Sequence, residues 1–338
     1  MKIITSLILL MVLAACNNAQ QSSPMKYKTT GSIERFDPAL DAIIDTNAKA
    51  AVIAEGFEWS EGPLWVESHQ MLLFSDVPKN IVYKWTEEKG KEIYLRPAGY
   101  TGTAPSASKE PGSNGLLLDA NGALVLCQHG NRQMARMGAP LDKPEAKFIT
   151  LADKYNGQRF SSPNDAVYNS KGEFYFTDPP YGLPGQNDED SLKEIPFNGV
   201  YKIKTTGEVI LLADSIARPN GIAFFPGESQ LIVASSDGKN PNWYIYDVKE
   251  DSLANGRIFY PDIVLAKGQR GSPDGLKIDK KGTVFATGPG GVWIFSSSGK
   301  ALGKIKLEQS ASNVALSADE KTLYITNDSQ VLRVTMRK

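Results

Sequence analysis

The sequence predicts an all-β chain that folds as a six-bladed β-propeller, and three observations support this prediction. Short segments rich in aromatic and β-branched residues recur along the chain, and examples are LWV, EFYFTD, NWYIYDV and TLYITN. Amphipathic helical periodicity is nearly absent, and only residues 38–48 (PALDAIIDTNA) are typical of a helical turn. The third observation is a strand–turn–strand pattern that returns six times.

Each repeat begins with a polar residue, often followed by Gly, that opens a strand. The six starting residues are Glu61, Asn114, Asn164, Asn220, Asp274 and Asn313. They are separated by 53, 50, 56, 54 and 39 residues, and periods of roughly 40–50 residues are typical of propeller blades. The segment VIAEGF (52–57) is expected to close the ring beside the last blade, because closure removes an exposed sheet edge.

The composition is that of an ordinary globular domain and argues against a nucleic-acid partner. Of the 338 residues, 41% are hydrophobic and 22% are charged, and the formal net charge is -1. Lys and Arg are spread along the chain, whereas a nucleic-acid footprint needs a clustered basic face. The length allows a large core, and all-β propellers of this size often form one domain.

The N-terminus is typical of a targeting segment. Lys2 precedes an apolar run over residues 3–13, which is too short to span a bilayer stably as a helix. The run ends in LAAC (13–16), which resembles the lipobox of bacterial lipoproteins. The resemblance implies cleavage before Cys16, a diacylglycerol on its sulfur and an acylated new N-terminus. An ordinary secretory signal is the alternative.

We therefore expect a signal peptide at 1–15, a flexible Ser/Gln-rich tether at 16–32 and the propeller at 33–338. The protein would be exported and held at the cell envelope only through its lipid anchor. Asn17 favours the outer membrane if the cell is Gram-negative. With Cys16 lipidated, Cys127 is the only other cysteine and no internal disulfide is expected. Its apolar neighbours favour a small buried residue over a reactive thiol.

The six repeat-starting residues are the main candidates for chemistry. The innermost strand of each propeller blade lines the central channel, so equivalent positions of the repeats lie at one height around the axis. The result would be a ring of two carboxylates and four carboxamides, which are costly to bury without partners. A divalent cation would satisfy them, and hard oxygen ligands favour Ca²⁺ or Mg²⁺. The alternative is that Asn-Gly and Asp-Gly are turn dipeptides.

Several segments resemble the signature segments of the gluconolactonase and senescence-marker-protein (regucalcin-like) family. They are FEWSEGPLW, SPNDAVYNSKGEFYFTDPPYG, RPNGIAF and GSPDGL, and GYTG…GSNGLLLDANGALVLCQHGNR resembles the bacterial gluconolactonase branch in particular. The resemblance implies a six-bladed propeller, one divalent metal deep in the channel and hydrolysis of lactones. It places the metal ligands on four members of the ring, Glu61, Asn164, Asn220 and Asp274.

Four further residues are candidates for the site. Asn114 is expected to contact substrate or to hold a metal ligand in place, whereas Asn313 is expected to be structural. His129 ends the second strand of the second repeat, where an imidazole either deprotonates water or is hydrogen-bonded for structure. Arg132 is expected either to bind substrate or to pair with a nearby acid.

Further candidate residues lie in two long connections and at the ends of the second strands. Tyr181, a further candidate for substrate binding, lies in the connection 179–197. This connection and residues 100–113 either cover the channel mouth or are solvated spacers. Asp165 is expected to hold Asn164 or to act as a buried acid. A structural role in turns is expected for the acids that follow the second strands, Asp76, Asp178, Asp237 and Asp328.

The resulting prediction is a lipid-anchored, divalent-metal-dependent lactonase that opens a sugar lactone, such as an aldonolactone, with metal-activated water. The metal would polarise the carbonyl, and Asp274 or His129 would carry protons. Ca²⁺ is the expected ion, with Zn²⁺, Mg²⁺ and Mn²⁺ as alternatives. The alternative functions are hydrolysis of aryl esters or phosphotriesters at the same site, and non-catalytic binding of a glycan or a protein at the cell surface.

Overall fold

A computed structural model describes residues 27–266 and 268–337. The predicted signal peptide, the lipidation site Cys16 and most of the tether therefore lie outside the described residues. Strands dominate, and the helices in these ranges are three short 3₁₀ turns, Pro38–Ala42, Glu67–His69 and Pro261–Ala266. None of them is long and apolar enough to cross a membrane. The first falls within the helical turn that the sequence predicts.

The described strands form a six-bladed β-propeller of antiparallel sheets, as predicted. Three N-terminal strands come first, β1 (Thr29–Thr30), β2 (Ser32–Arg35) and β3 (Ala50–Glu55). Blade 1 contains β4 (Ser60–Val66), β5 (Met71–Asp76), β6 (Ile81–Thr86) and β7 (Gly90–Leu95). Blade 2 contains β8 (Ser113–Leu118), β9 (Leu124–Gln128), β10 (Gln133–Met137) and β11 (Phe148–Ala152). A small hairpin follows it, formed by β12 (Lys154–Tyr155) and β13 (Gln158–Arg159).

The other four blades follow in chain order. Blade 3 contains β14 (Ala166–Tyr168), β15 (Phe174–Asp178), β16 (Gly199–Ile203) and β17 (Val209–Ala213). Blade 4 contains β18 (Pro219–Phe224), β19 (Gln230–Ser235), β20 (Asn242–Val248) and β21 (Leu253–Ile258). Blade 5 contains β22 (Leu276–Ile278), β23 (Val284–Gly288), β24 (Gly291–Phe295) and β25 (Ala301–Lys306), and blade 6 contains β26 (Ala311–Leu316), β27 (Thr322–Asn327) and β28 (Gln330–Thr335). The first strand of each blade contacts the first strands of its neighbours, so these inner strands form a ring.

Strands from the two ends of the described chain close this ring. β3 pairs antiparallel with β28 of blade 6, and β1 adds to β3 at the outer edge of the same sheet. β2 extends blade 5 by pairing with β25. The prediction that residues 52–57 close the ring beside the last blade is confirmed. β1 begins at Thr29, a few residues before the predicted boundary at residue 33.

The hydrophobic core lies between adjacent blades, because each sheet buries side chains against the next. Between blades 4 and 5, the fully buried Trp243 packs edge-on against Phe295, with ring centroids 5.3 Å apart. Cys127 is fully buried in the equivalent cluster between blades 2 and 3, as its neighbours predict. Burial raises the pKa of its thiol well above the ordinary value, so Cys127 is an inert core residue.

Candidate active site at the channel mouth

The repeat-starting residues meet at one end of the channel, at a cavity of about 310 Å³. Five of the six line it, and they are Glu61, Asn114, Asn164, Asn220 and Asp274. The side chain of Asp274 is partly exposed, whereas the other four residues are buried. The structure thus brings together all four metal ligands that the family resemblance implies.

A β-bulge in the inner strand directs several of these side chains. The pairing of β4 with β5 shifts register between Glu61 and Leu64, and that of β18 with β19 shifts between Pro219 and Ile222. The pairings of the inner strands of blades 2 and 6 shift register at the corresponding position. A bulge interrupts the alternation of side chains and re-aims one of them. The polar residue is thereby turned towards the cavity.

The glycine that follows a ring residue is required by the neighbouring blade. A Cβ on Gly62 of blade 1 would lie 2.1 Å from the Asn114 carbonyl oxygen of blade 2. A Cβ on Gly221 of blade 4 would lie 2.2 Å from the Asp274 carbonyl oxygen of blade 5. The same close approach to the next blade is made by Gly115 and Gly275. These dipeptides lie in, or directly before, inner strands, so the turn interpretation of Asn-Gly and Asp-Gly is wrong here.

Three oxygen atoms of the ring have no hydrogen-bond partner among the described residues. Asn114 Oδ1, Asn164 Oδ1 and Asp274 Oδ1 are all buried in this state. Buried acceptors without a donor are rare and costly, and a hard cation satisfies them. In the described ranges, no group of three or more His, Cys, Asp or Glu side chains could hold a metal. A cation at the ring would therefore depend on the carboxamide oxygens as well as on the two carboxylates.

The surroundings of the two carboxyl groups of the ring disfavour their ionised form and so raise their pKa values. Burial raises the pKa of Glu61, and the negative charge of Asp165 raises it further. Burial likewise raises the pKa of Asp274, with a further contribution from Glu61. An adjacent positive charge favours the ionised form of a carboxyl group and opposes both effects. The electrostatics of the ring therefore fit a cation bound between these groups.

A polar network beside the ring involves Asp165 and Asn313. Asn313 Nδ2 donates to Asp165 Oδ2 at 3.2 Å, and Asn313 Oδ1 accepts the backbone N–H of Val314 at 2.8 Å. Lys277 Nζ lies 3.8 Å from the same Asp165 oxygen. Both polar atoms of the Asn313 carboxamide are thus engaged, in agreement with the structural role expected for it. Asp165 serves Asn313 and Lys277 as a buried acceptor.

His129 lies beside the cavity but does not line it. Its side chain is fully buried, neither ring nitrogen has a hydrogen-bond partner in the described part of the chain, and Nδ1 lies 3.5 Å from Glu110 Oε2. Glu110 does line the cavity. Of the two predicted catalytic residues, Asp274 therefore faces the cavity directly, whereas His129 meets it only through Glu110.

The two remaining predicted site residues differ in position. Tyr181 lines the cavity, in agreement with the expectation of a substrate contact. Arg132 does not line it, because its Nε donates to the Phe160 carbonyl oxygen at 2.6 Å and its Nη1 lies 3.5 Å from Glu194 Oε1. Of the two roles expected for Arg132, its contacts agree with pairing with an acid, and they place it away from the cavity wall.

Sequence reasoning missed cavity residues that lie outside the repeat, chiefly Trp59 and Glu110. Glu110 belongs to the connection 100–113, and its Oε1 accepts a hydrogen bond from Gln186 Nε2 of the connection 179–197 at 3.1 Å. The two long connections thus meet at the cavity, as expected if they cover the channel mouth. Their length and lack of strand pattern were the only signal for this role.

Comparisons with known proteins agree with this fold. The family model described as SMP-30/gluconolactonase/LRE-like region matches residues 59–329. A gluconolactonase from Zymomonas mobilis is 38% identical over 316 residues, which cover 92% of this chain and 87% of the relative. A solved gluconolactonase from Xanthomonas campestris has a TM-score of 0.78 at 28% identity, covering 92% of this chain and 98% of the other.

A calcium-binding regucalcin from Agrobacterium tumefaciens has a TM-score of 0.63 at 13% identity, covering 84% of this chain and 92% of that one. At this identity, the similarity supports the fold alone. The family match spans most of the propeller, from residue 59 to residue 329. The chain belongs to the SMP-30/gluconolactonase/LRE-like family.

Proposed function

We propose that this protein is a lactonase that hydrolyses the ring ester of a sugar lactone with the help of a divalent cation. The observation that carries the proposal is the pair of unpartnered buried oxygens, Asn164 Oδ1 and Asp274 Oδ1, at a polar cavity of about 310 Å³. The Zymomonas relative, at 38% identity, bears the name gluconolactonase. This name supports the reaction class.

The two carboxylates and two of the carboxamides of the ring would hold the cation, and these ligands are Glu61, Asn164, Asn220 and Asp274. Two carboxylates balance the charge of a dication, and neutral carboxamide oxygens are hard donors, so the set suits Ca²⁺ first. Zn²⁺, Mg²⁺ and Mn²⁺ are the alternatives. When bound, such an ion supplies Lewis-acid polarisation of a carbonyl and lowers the pKa of a nearby water.

The residues of the chain orient the lactone and move the proton. Asn114 accepts a hydrogen bond from a substrate hydroxyl through its unpartnered Oδ1. Trp59 and Tyr181 offer ring faces to the apolar side of the sugar ring. Asp274 takes a proton from the water that adds to the carbonyl carbon and returns it to the ring oxygen as the ester C–O bond breaks. The product is the open-chain hydroxy acid.

Hydrolysis of D-glucono-δ-lactone, followed by acid release with a pH indicator, tests the proposal. We expect the purified protein to exceed the buffer rate, EDTA to abolish the excess, and Ca²⁺ or one of the three alternative ions to restore it. If the folded protein hydrolyses the lactone no faster than buffer does with any of these ions, the lactonase proposal is contradicted. The alternative of a non-catalytic binding propeller would then remain.

Calorimetry tests the ligand set separately. Glu61→Gln and Asp274→Asn should each weaken Ca²⁺ binding by about tenfold or more, because even residues that only support a metal ligand change affinity by about 10–100-fold. The exposed Glu308 supplies the matched control, Glu308→Gln, which should keep the wild-type affinity. Unchanged affinity in both ring variants would mean that the cation binds elsewhere.

A further inference from the structure

We propose that Glu110 is a specificity-determining residue, which binds the hydroxyl groups of a neutral, polyhydroxylated lactone. The inference rests on the lactonase function proposed above and names the part of the site that distinguishes a hydroxylated ring from a bare one. Glu110 lies in the connection between blades 1 and 2, outside every repeat, and its carboxylate is separate from the proposed metal ligands.

Glu110 brings an additional carboxylate to the cavity wall from above the ring. It lines the cavity together with Asn114 and Tyr181, and 22% of its side chain is exposed. A side chain that is mostly buried yet open to the cavity can be reached by a ligand without any movement of the inner strands. This placement suits contact with the substituents of a substrate whose reacting carbonyl lies at the ring.

The Glu110 carboxylate accepts a hydrogen bond on one side and lies beside a buried imidazole on the other. Gln186 Nε2 donates to Glu110 Oε1 at 3.1 Å and to the Tyr181 carbonyl oxygen at 3.2 Å, so one amide ties the two long connections together. On the other side, the fully buried His129 places Nδ1 3.5 Å from Glu110 Oε2. An ionised carboxylate has about four acceptor positions. About two of them therefore stay available for a ligand.

The surroundings of Glu110 select hydroxyl groups. A carboxylate with free acceptor positions can take hydrogen bonds from two neighbouring hydroxyls, and bonds to a charged acceptor are the strong ones. Asn114 Oδ1 is a further unpartnered acceptor in the same cavity. A wall of acceptors binds hydroxyl donors and repels anionic substituents. The matching ligand is a neutral lactone that carries several hydroxyls.

The test compares two six-membered lactones, D-glucono-δ-lactone and δ-valerolactone, which lacks hydroxyls. We expect the wild type to prefer the hydroxylated lactone. Glu110→Gln should lower the ratio of the two kcat/KM values by about 10- to 100-fold, chiefly by raising KM for the hydroxylated lactone, because a hydrogen bond to a charged group is lost. Gln186→Ala removes the hydrogen bond that positions the Glu110 carboxylate but leaves the carboxylate itself in place. This variant should lower the same ratio by a smaller factor.

The ratio separates this role from others. Weaker cation binding or partial unfolding lowers both rates together and leaves the ratio unchanged, and an unchanged ratio in both variants would overturn the inference. Glu189→Gln, at an exposed acid of the connection 179–197, is the control and should keep the wild-type ratio. If the wild type opens neither lactone with any of the four ions, the proposed function fails and the inference fails with it. If the wild type opens lactones but the ratio of the two kcat/KM values is unchanged in the variants, only the proposed role of Glu110 is contradicted.

Discussion

Single residues at the end of a second strand position the ring from behind. Thr177 Oγ1 donates to the Asn220 carbonyl oxygen at 2.8 Å, which fixes the ring position of the next blade. Its neighbour Asp178 accepts the backbone N–H groups of Ser161 at 2.9 Å and Ser162 at 2.6 Å. Ser75 and Asp76 make the corresponding contacts in blade 1. The Thr/Ser-Asp pair therefore holds the next blade with its hydroxyl and its own blade with its carboxylate.

Asp178→Asn is expected to change how stability depends on pH. Burial raises the pKa of Asp178 to about 6 from 3.8, so the folded state binds this proton more tightly than the unfolded state does. The stabilisation is fully present below pH 3.8 and is lost as the pH rises through about 6. The loss amounts to about 3 kcal/mol, since each pKa unit corresponds to about 1.4 kcal/mol.

Urea unfolding of both proteins at pH 4 and pH 7 measures this difference. The free energy of unfolding of the wild type should fall, relative to that of Asp178→Asn, between the two pH values. Asp237→Asn, which changes an acid two residues beyond the second strand of blade 4, is the control. Parallel pH profiles for the wild type and Asp178→Asn would contradict the assignment of this proton to Asp178.

The inner strand is the element that converts a repeated sequence into a ring of side chains. A bulge turns the polar residue towards the axis, and the glycine beside it lets the neighbouring strand approach to backbone distance. Blade 3 departs from this pattern, because Asp165 follows Asn164, whereas the other four ring residues that line the cavity are each followed by glycine. That exception introduces the buried carboxylate that binds Asn313 and Lys277.

Gly221→Ala tests the role of the glycine. Its Cβ would lie 2.2 Å from the Asp274 carbonyl oxygen, and backbone atoms cannot move aside as a side chain can. We expect a destabilisation of about 1–3 kcal/mol or more, as for overpacking in other cores, with weaker Ca²⁺ binding because Asn220 and Asp274 move apart. Chemical denaturation and calorimetry measure the two effects.

Gly238→Ala is the control for this variant. Gly238 also belongs to blade 4, but a Cβ there would meet no atom within 4 Å. The alanine at residue 238 should therefore leave stability and Ca²⁺ affinity close to those of the wild type. Equal effects of the two alanines would show that the close approach at Gly221 is unimportant.

The sequence predicts those parts of the site that repeat. Glu61 and Asp274 are recognisable because they occupy the same position of the repeat as four carboxamide residues. In a propeller, equivalent positions of the repeats lie at the same height along the channel axis. Glu110 has no counterpart in other blades, so its approach to the cavity depends on how a long connection folds back. The sequence leaves two roles open for Arg132 for a related reason, since the direction of a side chain at a strand end is set by its tertiary partners, here Phe160 and Glu194.

On the scale of the whole molecule, the described chain begins at the rim of the propeller. β1 is the outermost strand of blade 6, and four strand spacings of about 4.8 Å each separate it from the inner strand β26, a distance of about 19 Å. The cavity is lined at the inner strands. If residues 16–32 act as the predicted tether, the tether would join the propeller at its rim, away from the inner strands that line the cavity.

Cys16→Ala tests the proposed anchor. Loss of the thiol removes the site for the diacylglycerol, so the variant should move from the membrane fraction to the soluble envelope fraction with unchanged lactonase activity per molecule. Fractionation and intact-mass measurement check both location and lipid. Cys127→Ala is the control and should stay with the membrane, because Cys127 is fully buried in the fold. A wild type found only in the soluble fraction would contradict the lipid anchor.

The pairing of β3 with β28 constrains the order in which the strands can pair during synthesis of the protein. Residues 29–55 supply three strands whose partners or neighbours in the sheets lie between residues 301 and 335. β1 and β3 can pair with each other early, but β2 and the second edge of β3 have no partner until residues 301–335 have been synthesised. A chain stopped short of residue 301 would leave open sheet edges on two sides, the kind of edge that recruits other chains. Termination before residue 301 should consequently yield aggregates, because the closed ring requires the strands between residues 301 and 335.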